Sequence, residues 1–117
     1  MYVSGFVAPV PEGNKEAYRK MAADMAAVFQ EAGAVEIMEA WEEDIEDGKQ
    51  TDMRMAVKAQ AGEKIVFSWI VWPDKASADR CFEQMRENPG PPPEMPFDGK
   101  RMIWGGFSPI FTMGREA

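Results

Sequence analysis

The chain contains no histidine and a single cysteine among its 117 residues. Without imidazole, neither a Ser-His-Asp nor a Cys-His nucleophilic centre can be assembled, and zinc, facial-triad iron and haem sites that need a histidine ligand are excluded. Acid and base chemistry is left to carboxylates, Lys, Tyr or Cys. A lone cysteine cannot close an intramolecular disulfide, and Cys81 falls at helical spacing with Ala78, Phe82 and Met85, where it reads as a small buried hydrophobe rather than a reactive thiol. Long hydrophobic runs are lacking too. The longest nearly apolar stretch, Ile65 to Trp72, is far short of the ~20 residues that span a bilayer. The N-terminus has no basic region followed by an apolar core and cleavage site, so a cytoplasmic location is expected.

Positive charge is also scarce. Thirteen Lys and Arg against 20 Asp and Glu leave a formal net charge of −7, a field that repels nucleic acid and anionic membranes. Small molecules or proteins are the expected partners. An apolar fraction of 45% with 28% charged residues is that of an ordinary globular chain. At 13.1 kDa, residues 1–117 are expected to form one domain that buries roughly two thirds of its unfolded surface. The acidic run Glu36, Glu39, Glu42, Glu43, Asp44, Glu46 and Asp47 has no intervening Lys or Arg, yet Gly48 is misplaced for an EF-hand loop. It reads as a solvated strand end, and neither metal nor cofactor is expected.

What remains is well patterned. Tyr2 to Val10, rich in Val and aromatics and closed by Pro9 and Pro11, predicts a strand. Asn14 is placed to cap a helix whose apolar stripe is Tyr18, Met21, Ala22, Met25, Val28, Phe29 and Ala32, ending at Gly33. Val35 to Ile45 predicts a second strand, with Val35, Ile37 and Trp41 on one side and Met38 and Ala40 on the other. The segment from Glu46 to Glu63 reads as mostly irregular, with Arg54 to Ala59 either a helical turn or a strand end. Lys64 to Trp72 is the clearest strand: Ile65, Phe67, Trp69 and Val71 point one way, Val66, Ile70 and Trp72 the other. Asp74 or Ser77 caps a second helix, stopped by Asn88-Pro89-Gly90, and Pro91 to Pro93 form a stiff connector. After a turn at Asp98-Gly99, Arg101 to Phe111 predicts the last strand, with a bulge or bend at Gly105-Gly106.

The order strand, helix, strand, strand, helix, strand specifies an α+β, ferredoxin-like βαββαβ fold, a four-stranded antiparallel sheet with two helices on one face. The other face would be bare, although the strands carry Trp41, Trp69, Trp72 and Trp104. Such an aromatic face predicts a homodimer with sheets packed face to face.

The segments Thr51 to Ala59 (TDMRMAVKA), Val66 to Ile70 (VFSWI) and Met95 to Ile103 (MPFDGKRMI) resemble those of the YbaA family, bacterial proteins grouped as a domain of unknown function. The similarity extends across the chain, including Tyr2-Val3 and Gly5-Phe6-Val7. The resemblance implies a dimeric α+β barrel and no established activity.

Two sets of residues stand out as ligand candidates. Lys100 and Arg101 beside the Asp98-Gly99 turn, with Arg54 as a third cation, make a corner suited to a carboxylate. Trp69 and Trp104 offer aromatic walls, and Ser68 interrupts an apolar strand as a hydrogen-bonding group. The resulting expectation is a homodimer binding a small, partly apolar, anionic molecule. The alternatives are a cofactor-independent enzyme of the monooxygenase or isomerase type using Asp98 or a strand carboxylate as base, or a ligand-free interaction or stress protein.

Overall fold

A computed structural model describes residues 1–88 and 95–114. Strand β1 (Tyr2–Pro11) leads through a 3-10 turn (Glu12–Asn14) into α1 (Lys15–Glu31), followed by β2 (Glu36–Trp41), a one-turn α2 (Met53–Ala56), β3 (Glu63–Trp72), α3 (Lys75–Glu87), a second 3-10 turn (Gly99–Arg101) and β4 (Ile103–Phe107). The four strands form one antiparallel sheet in the order β2-β3-β1-β4. This is the ferredoxin-like α+β arrangement.

Local chemistry accounts for most boundaries. Asp74, and not Ser77, caps α3: its carboxylate accepts the Ser77 backbone N–H at 2.8 Å, which holds the carboxyl below its usual value. Asn14 precedes α1 without a capping bond, because its amide donates instead to the Pro96 carbonyl, 2.7 Å away, tying the helix start to the last loop. Gly33 takes φ +113°, the left-handed conformation that ends α1.

Several features differ from the sequence reading. The second strand begins at Glu36 and stops at Trp41 rather than Ile45, because Glu42 turns its carboxylate back onto the Ile65 N–H at 2.9 Å. The last strand covers only Ile103–Phe107: Arg101 belongs to the 3-10 turn, and residues 108–111 pair with nothing in the sheet. No bulge occurs at Gly105-Gly106, since Gly5 pairs with Gly105 and Ser4 with Gly106 in unbroken register. Both glycines lie close to aromatic side chains, Gly106 the more tightly. A Cβ on Gly106 would meet the Tyr2 hydroxyl at 1.6 Å, while the Phe107 ring lies 3.3 Å from a Cβ built on Gly105. The proline connector and the Pro89-Gly90 stop fall outside the described residues.

Both long helices lie on one face. Beneath them are two apolar clusters, one around Ala8, Val10, Tyr18, Val66 and Phe97, the other around Ala34, Ile70, Trp72, Ala78 and Cys81. Phe29, Trp72 and Phe82 meet with ring centroids 6.0–6.3 Å apart. Burial pushes the Cys81 thiol above its usual value. Val28 is the exception in the α1 stripe and points to solvent.

Trp72 is fully buried, and its indole N–H donates to the Ser4 hydroxyl at 3.1 Å. Ser4→Ala is therefore expected to strand a buried donor and lower the unfolding free energy by about 1–3 kcal/mol, measured by urea titration. A change below about 0.5 kcal/mol, the size of an ordinary surface substitution, would show that the bond carries no weight.

Candidate functional site

The sheet register distributes the candidate residues over three places. The first is a row across the covered face. Glu39 pairs with Ser68, Ser68 with Phe6, and Phe6 with Trp104, so one line of side chains crosses all four strands between the two apolar clusters. At the β2 end Tyr18 comes down from α1 and donates its hydroxyl to Glu39 Oε1 at 2.7 Å. The Ser68 hydroxyl, itself buried, lies beside both and can donate its single proton to only one of them. Burial raises the Glu39 carboxyl above its ordinary value, against the opposing effect of the two hydroxyl donors. Burial, then the bond to Glu39, raises the Tyr18 phenol as well. Glu39 as a residue remains open to solvent along the sheet edge, while its carboxyl is shielded on the side that meets Tyr18. At the opposite end the Trp104 ring is 70% exposed.

The second place is an ion network at the start of β3. Arg101 forms a two-pronged bond with Glu63, both at 2.7 Å, and adds the Asp98 carboxylate at 3.0 Å and the Lys58 carbonyl at 2.9 Å. Arg54 donates to the Glu63 carbonyl at 3.1 Å and pairs with the buried Glu42 carboxylate, which Lys64 approaches to 3.8 Å. The paired guanidinium holds both Glu63 and Asp98 below the usual carboxylate range. Asp98 also caps its turn through the Lys100 N–H at 3.0 Å. Both guanidiniums are thus engaged with carboxylates, and Lys100 is exposed. The MPFDGKR stretch works here as a clasp between its own turn, the Lys58 loop and β3.

The third place is the uncovered face. Trp69 lies there, its indole donating to Glu36 at 2.8 Å and its ring packed edge-on to Phe67 at 5.6 Å. Val3, Gly5, Val7, Phe67, Val71 and Phe107 continue this face and line an open groove of about 730 Å³, which Trp104 borders from the β4 edge.

Ser68 and Trp104 therefore share one row, Asp98, Arg101 and Arg54 meet around Glu63, and Trp69 stands apart on the opposite face. Sequence reasoning missed Tyr18 and Glu39. One signal was available: strict alternation puts Glu39 on the same side as Ile37 and Trp41, an acid set into an apolar stripe.

Residues 1–99 match a family described as protein of unknown function (DUF1428). The chain belongs to this family. Among its members, uncharacterized protein YbaA of Escherichia coli K12 is 52% identical over 112 residues, which cover 93% of this chain and 96% of that protein. YbaA of Shigella flexneri matches with the same identity and coverage. The matched family segment ends at residue 99, so it takes in β1 through α3 and the Asp98 cap but not Arg101 or β4.

Proposed function

We propose that this family member is a homodimer that binds a small, partly apolar molecule through the row between Glu39 and Trp104. The observation that carries the binding half is the Tyr18, Glu39 and Ser68 trio set between two apolar clusters. Tyr18 spends its one donor on Glu39, and an ionised carboxylate only accepts. The trio therefore favours a ligand that brings a hydroxyl or ammonium donor over an anionic one. Strand spacing puts Ser68 and Trp104 about 10 Å apart with Phe6 between them, so an apolar body would lie over that ring and end on the exposed indole. The net charge of −7 favours an ammonium.

The test compares benzylamine, benzyl alcohol and benzoate by thermal shift and calorimetry. Benzylamine is expected to raise the melting temperature, since occupancy at 100 times the dissociation constant adds about 2.7 kcal/mol. Glu39→Gln, which keeps the shape and removes the charge, is expected to weaken that binding at least tenfold, a loss of about 1.4 kcal/mol. Stabilisation by benzoate equal to that by benzylamine, or an unchanged response in the Gln variant, would sink this assignment.

The dimer half rests on shape and surface. The molecule is a slab of 39 × 37 × 22 Å, and its radius of gyration of 15.0 Å exceeds the ~13.4 Å typical of a compact chain of this length. It exposes 8410 Å², against about 6,400 Å² for a folded monomer of 13.1 kDa. The excess of about 2,000 Å² is more than the roughly 1,000 Å² per subunit at which obligate homodimer interfaces begin. Much of the exposed apolar surface lies on the uncovered sheet face, where Phe67, Ile103 and Phe107 face solvent. A second copy is the occupant of matching shape and chemistry. Light scattering on a size-exclusion column at micromolar concentration is expected to give twice the chain mass.

A further inference from the structure

Beyond β4 the chain continues as Ser108 to Gly114, outside any helix or strand. Its composition is wrong for a solvated end: Pro109, Ile110, Phe111 and Met113 are apolar, and the segment carries no charge. Ile110 is 101% exposed, Phe111 82% and Met113 85%. Their positions are not random. Pro109, Phe111, Thr112 and Met113 stand along the same groove as Val3, Phe67, Trp69 and Val71, whereas Ile110 faces away from its own subunit. The segment is therefore a wall raised at the rim of the uncovered face, wetted on nearly all its apolar surface.

We propose that residues 108–114 are an exchanged arm: each copy of the chain lays this segment on the other, closing the groove over the partner's sheet face. The proposal rests on the homodimer reading and adds which segment completes the interface. Three arguments select a second copy as occupant. The arm is continuous with the apolar sheet face, so a partner seated on that face must meet it. The surface in excess of a compact monomer is large enough to supply a stable dimer interface. The groove lining and the arm are uncharged in a chain of net charge −7, which suits mutual burial of identical surfaces better than docking of a charged partner. Proline at 109 disfavours a helical turn at Ser108, where the arm leaves the sheet edge.

Two variants test this by sedimentation equilibrium: a chain ending at Ser108, and the full chain with Ile110→Ser, Phe111→Ser and Met113→Ser. Both are expected to keep the far-ultraviolet circular dichroism of the parent and to dimerise at least 100-fold more weakly. A photo-crosslinking phenylalanine analogue at position 111 is expected to give a band of dimer mass. A parent chain that is monomeric at 100 µM overturns the dimer reading and the arm together. A parent dimer whose affinity survives both changes, or crosslinks confined to one chain, overturns the arm alone.

Discussion

Arg101→Met is expected to lower the unfolding free energy by clearly more than the ~1 kcal/mol of an ordinary surface ion pair. The reason is the geometry at Glu63, where both carboxylate oxygens are held at 2.7 Å by one guanidinium and the side chain is 8% exposed. Removing the cation leaves that carboxylate shielded from water and unpaired, and releases the Asp98 turn and the Lys58 loop as well. The pairing depresses the Glu63 value, so its contribution is complete above the unfolded carboxyl value of about 4.3 and is lost as pH falls through the folded one. In the Met variant the sign reverses, because protonation relieves the unpaired charge. The difference between parent and variant, measured by urea titration, should therefore shrink between pH 7 and pH 4. Adding Glu63→Gln to Arg101→Met should recover part of the loss. A pH-independent difference under about 1 kcal/mol would show that the pair is a solvated surface contact.

The second large effect concerns assembly. Phe67→Asp places a carboxylate among Val7, Ala40 and the Trp69 ring on the uncovered face. Phe67 is 45% exposed in the single chain, so the monomer can fold with the charge in water. In a face-to-face dimer the charge enters the interface twice, with no Lys or Arg among the described residues lining the groove to pair it. At about 2 kcal/mol or more for each desolvated carboxylate, the dissociation constant should rise roughly 1,000-fold. Sedimentation equilibrium with circular dichroism decides the matter: a well-folded Asp variant that still dimerises like the parent would remove the sheet face from the interface.

The two arms of the test in solution address different layers of the molecule. The proposed ligand row lies on the face covered by helices, the proposed dimer surface on the other. Substitution at Glu39 should leave assembly intact, and substitution at Phe67 should leave the response to benzylamine intact. At β2 the separation follows from strand alternation, since Glu39 and Met38 are neighbours that point to opposite faces, while Trp104 at the β4 edge borders both layers.

Periodicity by itself determined the element order, the two faces of β3 and the α1 stripe, because these depend on residues close together in the chain. Of the four tryptophans expected on a bare face only Trp69 stands there, since Trp41 and Trp72 pack on the helix side and Trp104 lies in the covered row. The missing histidine fixed which chemistries are closed in any fold. Strand ends were less legible: Glu42 still donates its N–H to the Ile65 carbonyl but answers the Ile65 N–H with its carboxylate, and Arg101 enters a 3-10 turn from which it pairs with Glu63. Only tertiary structure decided which of 20 acidic residues would take each arginine, since Glu63 and Arg101 are 38 positions apart and composition offers many equivalent partners. The same holds for the Tyr18, Glu39 and Ser68 trio. A helix stripe, an acidic run and a strand serine carry no common signal until register and helix packing bring them together, because a hydrogen bond is set by distances of a few ångströms and not by separation along the chain.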